Sequence, residues 1–194
     1  MFVASTPLET ERLTIRPYEP GDFEAIHAMF GRADVCRYLD WEPMDRDQAR
    51  ATLERRIGQT GFGEGGTGLV LAAVERTTGR TVGEFMLRET SAESHQGEIG
   101  WSLHPDAHGR GLATEGAHEM LRLGFEELGL HRISAGCDAR NAASLRVMER
   151  LGMRQEARFE ENAYIKGEWV GEIVCAILEA EWRAAHPGQS AGAS

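Results

Sequence analysis

The chain has 194 residues, 41% of them hydrophobic, with 23 glycines and a net charge of −10, which suits one domain with a sizeable core. That acidic balance disfavours a nonspecific grip on nucleic acid or anionic lipid and favours cationic partners. No apolar run approaches the roughly 18 to 20 residues of a membrane-spanning helix, and the start MFVASTPLETER lacks the basic and apolar regions of a signal peptide, so a cytoplasmic protein with neither nucleic-acid nor membrane partners is expected.

Residues 12–16 (RLTIR) alternate as a strand, and Pro17, Pro20 and Gly21 punctuate before a helix over Asp22–Phe30, with Asp22 as N-cap and Phe23, Ile26, His27 and Phe30 on one face. A second helix is predicted over Asp45–Gln59, burying Ala49, Leu53 and Ile57. The loop GFGEGGTG at residues 61–68 is pliable in composition. Strands follow at 69–75, 81–88 and 98–103, with a hairpin turn at Thr77–Gly79 and a polar, mobile connection over Ser91–Gln96.

Residues 111–128 carry apolar side chains at three- and four-residue steps, which predicts a long amphipathic helix ending at Gly129. A strand at 132–137, a helix at 142–151 closed by Gly152, and strands near 155–159 and 170–179 complete the pattern. Hairpins mixed with crossovers imply an α+β domain with a largely antiparallel sheet of six or seven strands and about four helices. Residues 1–183 form this single domain, and the tail 184–194, without apolar period, is expected to be disordered.

Cys36, Cys137 and Cys175 are odd in number and widely spaced, so reduced thiols are expected rather than disulfides or a structural zinc site. Lys166 is the only lysine and no Gly-Lys pair exists, which removes a P-loop. Gly61, Gly63 and Gly66 match GxGxxG, yet they follow a helix and precede a strand, the reverse of a dinucleotide site, and Glu64 would repel phosphate. His104 and His108 flank Asp106, but Pro105 breaks the helix that a metal pair would need, so no metal is expected.

The segment EIGWSLHPDAHGRGLAT, residues 98–114, runs from a strand through a glycine-bearing turn into the long helix. Gly109 and Gly111 allow close backbone approach, and the N–H groups of residues 110–114 have no partner within the helix. Arg110 would add a cation and Thr114 a hydroxyl. Pyrophosphate fits such a turn, and so does an ordinary helix start.

HGRGLAT resembles the acetyl-CoA pyrophosphate loop of the GNAT superfamily of N-acetyltransferases, [Q/R]xxGx[G/A], with Gly111 and Ala113 at the last two fixed positions and His108 where Gln or Arg is usual. ETERLTIRPYEPGDFEAI, EIGWSLHPDAHGRGLATEG, NAASLRVMERLGMRQEARF and ENAYIKGEW together resemble its RimJ/RimL-like branch over residues 7–182. The resemblance implies a mixed sheet whose fourth and fifth strands splay apart. It implies acetyl-CoA as donor cosubstrate, contacted by Trp101, Ser102, Leu103, His108, Gly109, Arg110, Gly111, Leu112, Ala113, Thr114, Asn141 and Ser144. The Leu103 N–H would donate to the thioester oxygen.

The resemblance also implies Ser144 as proton donor, since Met148 stands where many relatives hold a tyrosine, although Asn141 and Ser144 also suit a helix start. Glu98 is the carboxylate at the family's base position; Glu84 competes with it, and water is a third route. Phe30, Tyr38 and Trp41, with Glu84, are the substrate contacts implied, against ordinary packing. Glu160 replaces a basic residue of the branch, Lys166-Gly167 reads as a hairpin turn, and Trp169 reads as core.

The implied activity is direct acetyl transfer to a primary amine in a ternary complex, with a protein N-terminal α-amine of the ribosomal-protein type as acceptor. A small-molecule amine such as an aminoglycoside or polyamine, or a non-catalytic acyl-CoA-binding module, are the alternatives. Many relatives form dimers, which leaves a homodimer open.

Overall fold

The computed structural model describes residues 2–4, 7–63 and 68–187. In chain order the strands are β1 (Phe2–Val3), β2 (Leu8–Glu9), β3 (Leu13–Pro17), β4 (Thr60–Phe62), β5 (Gly68–Glu75), β6 (Thr81–Ser91), β7 (Gln96–Leu103), β8 (Arg132–Asp138), β9 (Arg154–Ile165) and β10 (Glu168–Leu178). The helices are α1 (Phe23–Phe30), α2 (Ala33–Cys36), α3 (Arg46–Ile57), α4 (Leu112–Arg122), α5 (Ala142–Arg150) and α6 (Glu179–Ala185). A π-helical turn over Leu123–Glu127 extends α4.

All ten strands form one sheet in the order β1-β4-β5-β6-β7-β8-β10-β9, with β3 also on β5 and β2 on β3. Seven of them are five residues or longer, matching the six or seven expected; the rest are two- and three-residue pieces at the periphery. β5 shows why the sheet is covered on both faces. Leu69, Leu71 and Ala73 join the core under α4, while Val70 and Ala72 join Ile26, Phe30, Ala49 and Leu53 of α1 and α3. α4 lies so close that Gly116 rests on the Phe85 ring with no room for a Cβ.

β7 and β8 form the parallel pair, and they pair only at Gln96↔Arg132, Gly97↔Ile133 and Glu98↔Ser134. Beyond Glu98 they diverge, because β7 stays on β6 through Gly83↔Leu103 while β8 follows β10 through Glu172↔Asp138. The expected splay is therefore present and opens toward the start of α4.

Several local expectations change. Asp22 does not cap α1; its buried carboxylate binds the Arg16 guanidinium at 2.8 Å, the Glu19 amide and the Thr81 hydroxyl. Ile57 is exposed, and Thr52 joins Ala49 and Leu53 on the buried face of α3. The connection after β6 is a four-residue turn rather than a loop from Ser91 to Gln96. The last two strands lengthen into one long hairpin turning at Lys166-Gly167, with Trp169 60% exposed on it, against the core reading. The chain stays helical to Ala185, past the expected start of the tail, with Trp182 buried. Residues 188–194, and residues 64–67 with Gly66 and Glu64 of the GxGxxG match, lie outside the described residues.

Candidate active site

Two cavities flank the splay. One, about 610 Å³, lies on the α4–α5 side; the other, about 520 Å³, lies on the α1–α3 side. Tyr38, Trp101, Ser102, Asn141 and Ser144 border both, so the gap between β7 and β8 is a passage from one face of the sheet to the other.

The first cavity is built by the strand-turn-helix segment. Gly109 and Gly111 hold φ of +71° and +80°, a left-handed conformation that costs glycine little. Gly111 is the N-cap of α4 and no side chain caps the first turn, which leaves the Leu112, Ala113 and Thr114 amides to a ligand, at the positive end of the helix dipole. The Thr114 hydroxyl is buried without a hydrogen-bond partner among the described residues. Arg146 and Arg150 of α5 line the same cavity. Free amides, an orphaned hydroxyl and two guanidiniums are a donor set for phosphate oxygens.

Two expected contacts differ. Arg110 does not line the cavity; its guanidinium turns away to Glu75, so only its backbone belongs to the turn. His108 does line it, but Nε2 lies 2.9 Å from the Leu103 carbonyl oxygen, a bond that requires the proton on Nε2 and spends that donor on the strand. The His104 amide donates across to Val82 of β6 at 2.8 Å. Strand alternation then turns the amides of Trp101 and Leu103 to the opposite edge, the one β8 has left open.

Asn141 caps α5, its side-chain oxygen accepting the Ser144 amide at 3.1 Å, which leaves its NH₂ as the group it can offer the passage. Capping and cleft position are thus combined in one residue. Met148 is buried in the core and supplies no proton donor.

The second cavity holds Tyr38, Trp41, Glu84 and Glu98 as expected, but not Phe30. Phe30 is fully buried and packs edge-on against Trp41 with ring centroids 5.8 Å apart. Glu98 is tied to Arg88 at 2.8 Å. Glu84 is buried between the Tyr18 hydroxyl at 3.0 Å and Arg56 Nη2 at 2.8 Å, and burial pushes its carboxyl above the ordinary range against the pull of Arg56. Burial, then the neighbouring Glu84, pushes Tyr18 well up. Cys137 also lines this cavity, and burial raises its thiol to about 11, which keeps it protonated and a poor nucleophile.

Asn162 belongs to the ENAYIKGEW stretch that carries the resemblance, but sequence reasoning did not find Tyr18, Arg37, Arg56, Arg146, Arg150 or Glu172, all of which touch a cavity or its wall residues. None carries a spacing that marks it; tertiary packing alone brings them in.

Residues 12–154 match the family described as Acetyltransferase (GNAT) domain. The Bacillus subtilis protein named Uncharacterized N-acetyltransferase YnaD is 31% identical over 90% of this chain and 98% of its own. Spermidine N(1)-acetyltransferase of Escherichia coli is 25% identical over 91% of this chain and 92% of its own. The crystal structure of a GNAT-family acetyltransferase from Bacillus anthracis superposes with a TM-score of 0.80 at 32% identity, covering 91% of this chain and 100% of that one.

Proposed function

The chain belongs to the GNAT acetyltransferase family, and within that family we propose that it moves an acetyl group from acetyl-CoA in the α4–α5 cavity to a primary amine entering from the α1–α3 cavity. It is an acetyl-CoA-dependent N-acetyltransferase, which sets aside the reading as a non-catalytic module. The observation that carries the two-sided reading is the passage itself, where Trp101, Ser102, Asn141 and Ser144 border both cavities.

Acetyl-CoA supplies the thioester carbonyl that the amine attacks. The amides of Leu112, Ala113 and Thr114, with the Thr114 hydroxyl and Arg146 and Arg150, bind its phosphates. The Leu103 N–H, on the open edge of β7, stabilises negative charge developing on the carbonyl oxygen. Ser144 gives a proton to the departing sulfur and takes back the one that the attacking nitrogen sheds as it becomes an amide. Glu98 spends charge on Arg88 and Glu84 is walled in by Tyr18 and Arg56, so the reacting amine reaches its neutral form without a dedicated strong base. A protein α-amine, with pKa about 7.7 to 8.0, needs none near neutral pH.

The acceptor we favour is a protein N-terminal α-amine, because the motifs at residues 9–26 and 161–169 resemble the RimJ/RimL-like branch. A polyamine is the second reading, favoured by the carboxylates around the acceptor cavity and by the spermidine-acetylating relative. The deciding experiment is release of free CoA thiol with N-terminal peptides, spermidine and an aminoglycoside in parallel. Turnover with peptides alone supports the first reading, turnover with spermidine alone replaces it, and none in any arm removes both.

A further inference from the structure

The acceptor cavity is bordered by the carboxylates of Asp40, Glu84, Glu98, Asp138, Glu168 and Glu172. Four are paired with three guanidiniums: Glu84 with Arg56 at 2.8 Å, Glu98 with Arg88 at 2.8 Å, and Asp138 and Glu168 sharing Arg140 at 2.7 and 2.9 Å, while Arg37 and Lys166 also border the cavity. Asp40 sits on the exposed rim. Glu172 is different: it is half-buried on the cavity wall, and among the described residues no guanidinium or ammonium reaches it. It is also held. Oε2 accepts from Asn162 Nδ2 at 2.6 Å, and Oε1 lies over β8 where Gly136 has no side chain, 2.8 Å from where a Cβ would stand.

Glu172 borders the acceptor cavity alone, whereas Tyr38, Trp101, Ser102, Asn141 and Ser144 of the passage border both cavities. The reacting nitrogen must be neutral when it attacks, so a fixed, uncompensated carboxylate away from the passage is of no use to it. It serves instead a positive charge elsewhere on the same acceptor. Resting on the acetyl-transfer reading, we propose that Glu172 binds a second cation of the acceptor, and that the enzyme selects amines that carry one: a di- or polyamine, or a peptide with a basic side chain behind its N-terminus. Asn162 is the positioning residue that keeps the carboxylate turned inward.

The test is calorimetric titration of the CoA-saturated protein with n-butylamine against spermidine, and with trialanine amide against the same peptide carrying lysine at its second position. Wild type is expected to bind the more highly charged member of at least one pair about tenfold more tightly, the scale of one charged hydrogen bond; which pair responds identifies the source of the charge. Glu172→Gln, nearly isosteric and still able to bond Asn162, should erase the preference without changing CoA affinity, and Glu172→Asp should restore part of it. Equal binding within both pairs by wild type, or a preference that survives Glu172→Gln, overturns the proposal. If Glu172→Gln fails to fold, Asn162→Ala on the exposed side of the hairpin reads the same contact, and an unchanged preference there overturns it too. Failure of wild type to bind CoA is read separately: it removes the acetyl-transfer reading, while titration of the free protein with the same amines still decides Glu172.

Discussion

Lys166 Nζ donates to the carbonyl oxygen of Cys36 at 2.6 Å, joining the turn of the β9–β10 hairpin to the end of α2. These two pieces lie 130 residues apart in the chain, and Arg37, next to Cys36, lines the acceptor cavity together with Lys166. The sole lysine of the chain thus has a use that its place in a turn does not suggest. Replacing it with Met keeps most of the stem and removes the charge. The expected result is a severalfold rise in acceptor KM with CoA affinity unchanged, and a stability loss of about 1 to 2 kcal/mol for one charge-assisted bond. Parallel changes in both ligands would mean that the contact props up the whole fold instead.

Asn141 and Ser144 share one turn but are expected to separate under mutation. Asn141→Ala removes the cap of α5 and should lower stability by about 1 kcal/mol. Ser144→Ala leaves that bond intact, since only the serine amide is used. It should leave the melting temperature in place and lower kcat about 100-fold, the lower end for loss of a positioned proton donor. Thermal denaturation beside steady-state kinetics distinguishes them; a Ser144→Ala enzyme with full kcat removes the serine from the chemistry.

The elements that carry the donor side were legible because their signals are local. A strand, two glycines and an amphipathic period sit within residues 98–128, and the cavity and the left-handed glycines follow from that order, whereas the splay is what the family resemblance implies. The acceptor side was legible only in part. Tyr38, Trp41 and Glu84 do line it, but the period of α1 cannot tell which of its aromatic residues face a cavity, and Phe30 is core. Trp169 is exposed because it stands near the tip of the hairpin at the sheet edge, with the Tyr164 ring beside it at 5.3 Å. Arg110 misled for another reason: a cation next to a phosphate turn in sequence is free to choose a nearer carboxylate in space, and Glu75 takes it. Glu172 lies beyond a register shift between Val170 and Glu172, and no alternation reports which carboxylate will lack a partner.

The orphaned hydroxyl of Thr114 predicts opposite effects on stability and binding. Among the described residues it is buried without a partner, so Thr114→Val, which keeps the shape and removes the polar group, should be neutral or slightly stabilising in the free protein. In the complex the same change removes a donor to phosphate and should weaken CoA binding about five- to tenfold. A melting curve and a CoA titration on one protein check both. A Thr114→Val protein that loses stability and keeps CoA affinity would show the hydroxyl to be structural.

Glu84 predicts a pH dependence of stability with a definite sign. Burial raises its carboxyl above the ordinary range in the folded chain, in spite of Arg56 and Tyr18. Between the unfolded value, about 4.3, and the raised folded value, the folded protein therefore holds the proton that the unfolded chain has released. Folding is favoured less and less as pH rises through that window, and the difference stays constant above it. Glu84→Gln cannot titrate, so wild-type stability minus that of the variant should fall with rising pH from about 4.3 and then level off. The loss of the Arg56 ion pair adds an offset that is the same at every pH above the window and does not alter the sign. Denaturant midpoints for both proteins across pH 4 to 8 measure the curve. A difference that instead rises with pH would mean that Arg56 outweighs burial, and Glu84 would then be an ordinary ionised partner rather than a carboxyl kept protonated beyond its usual range.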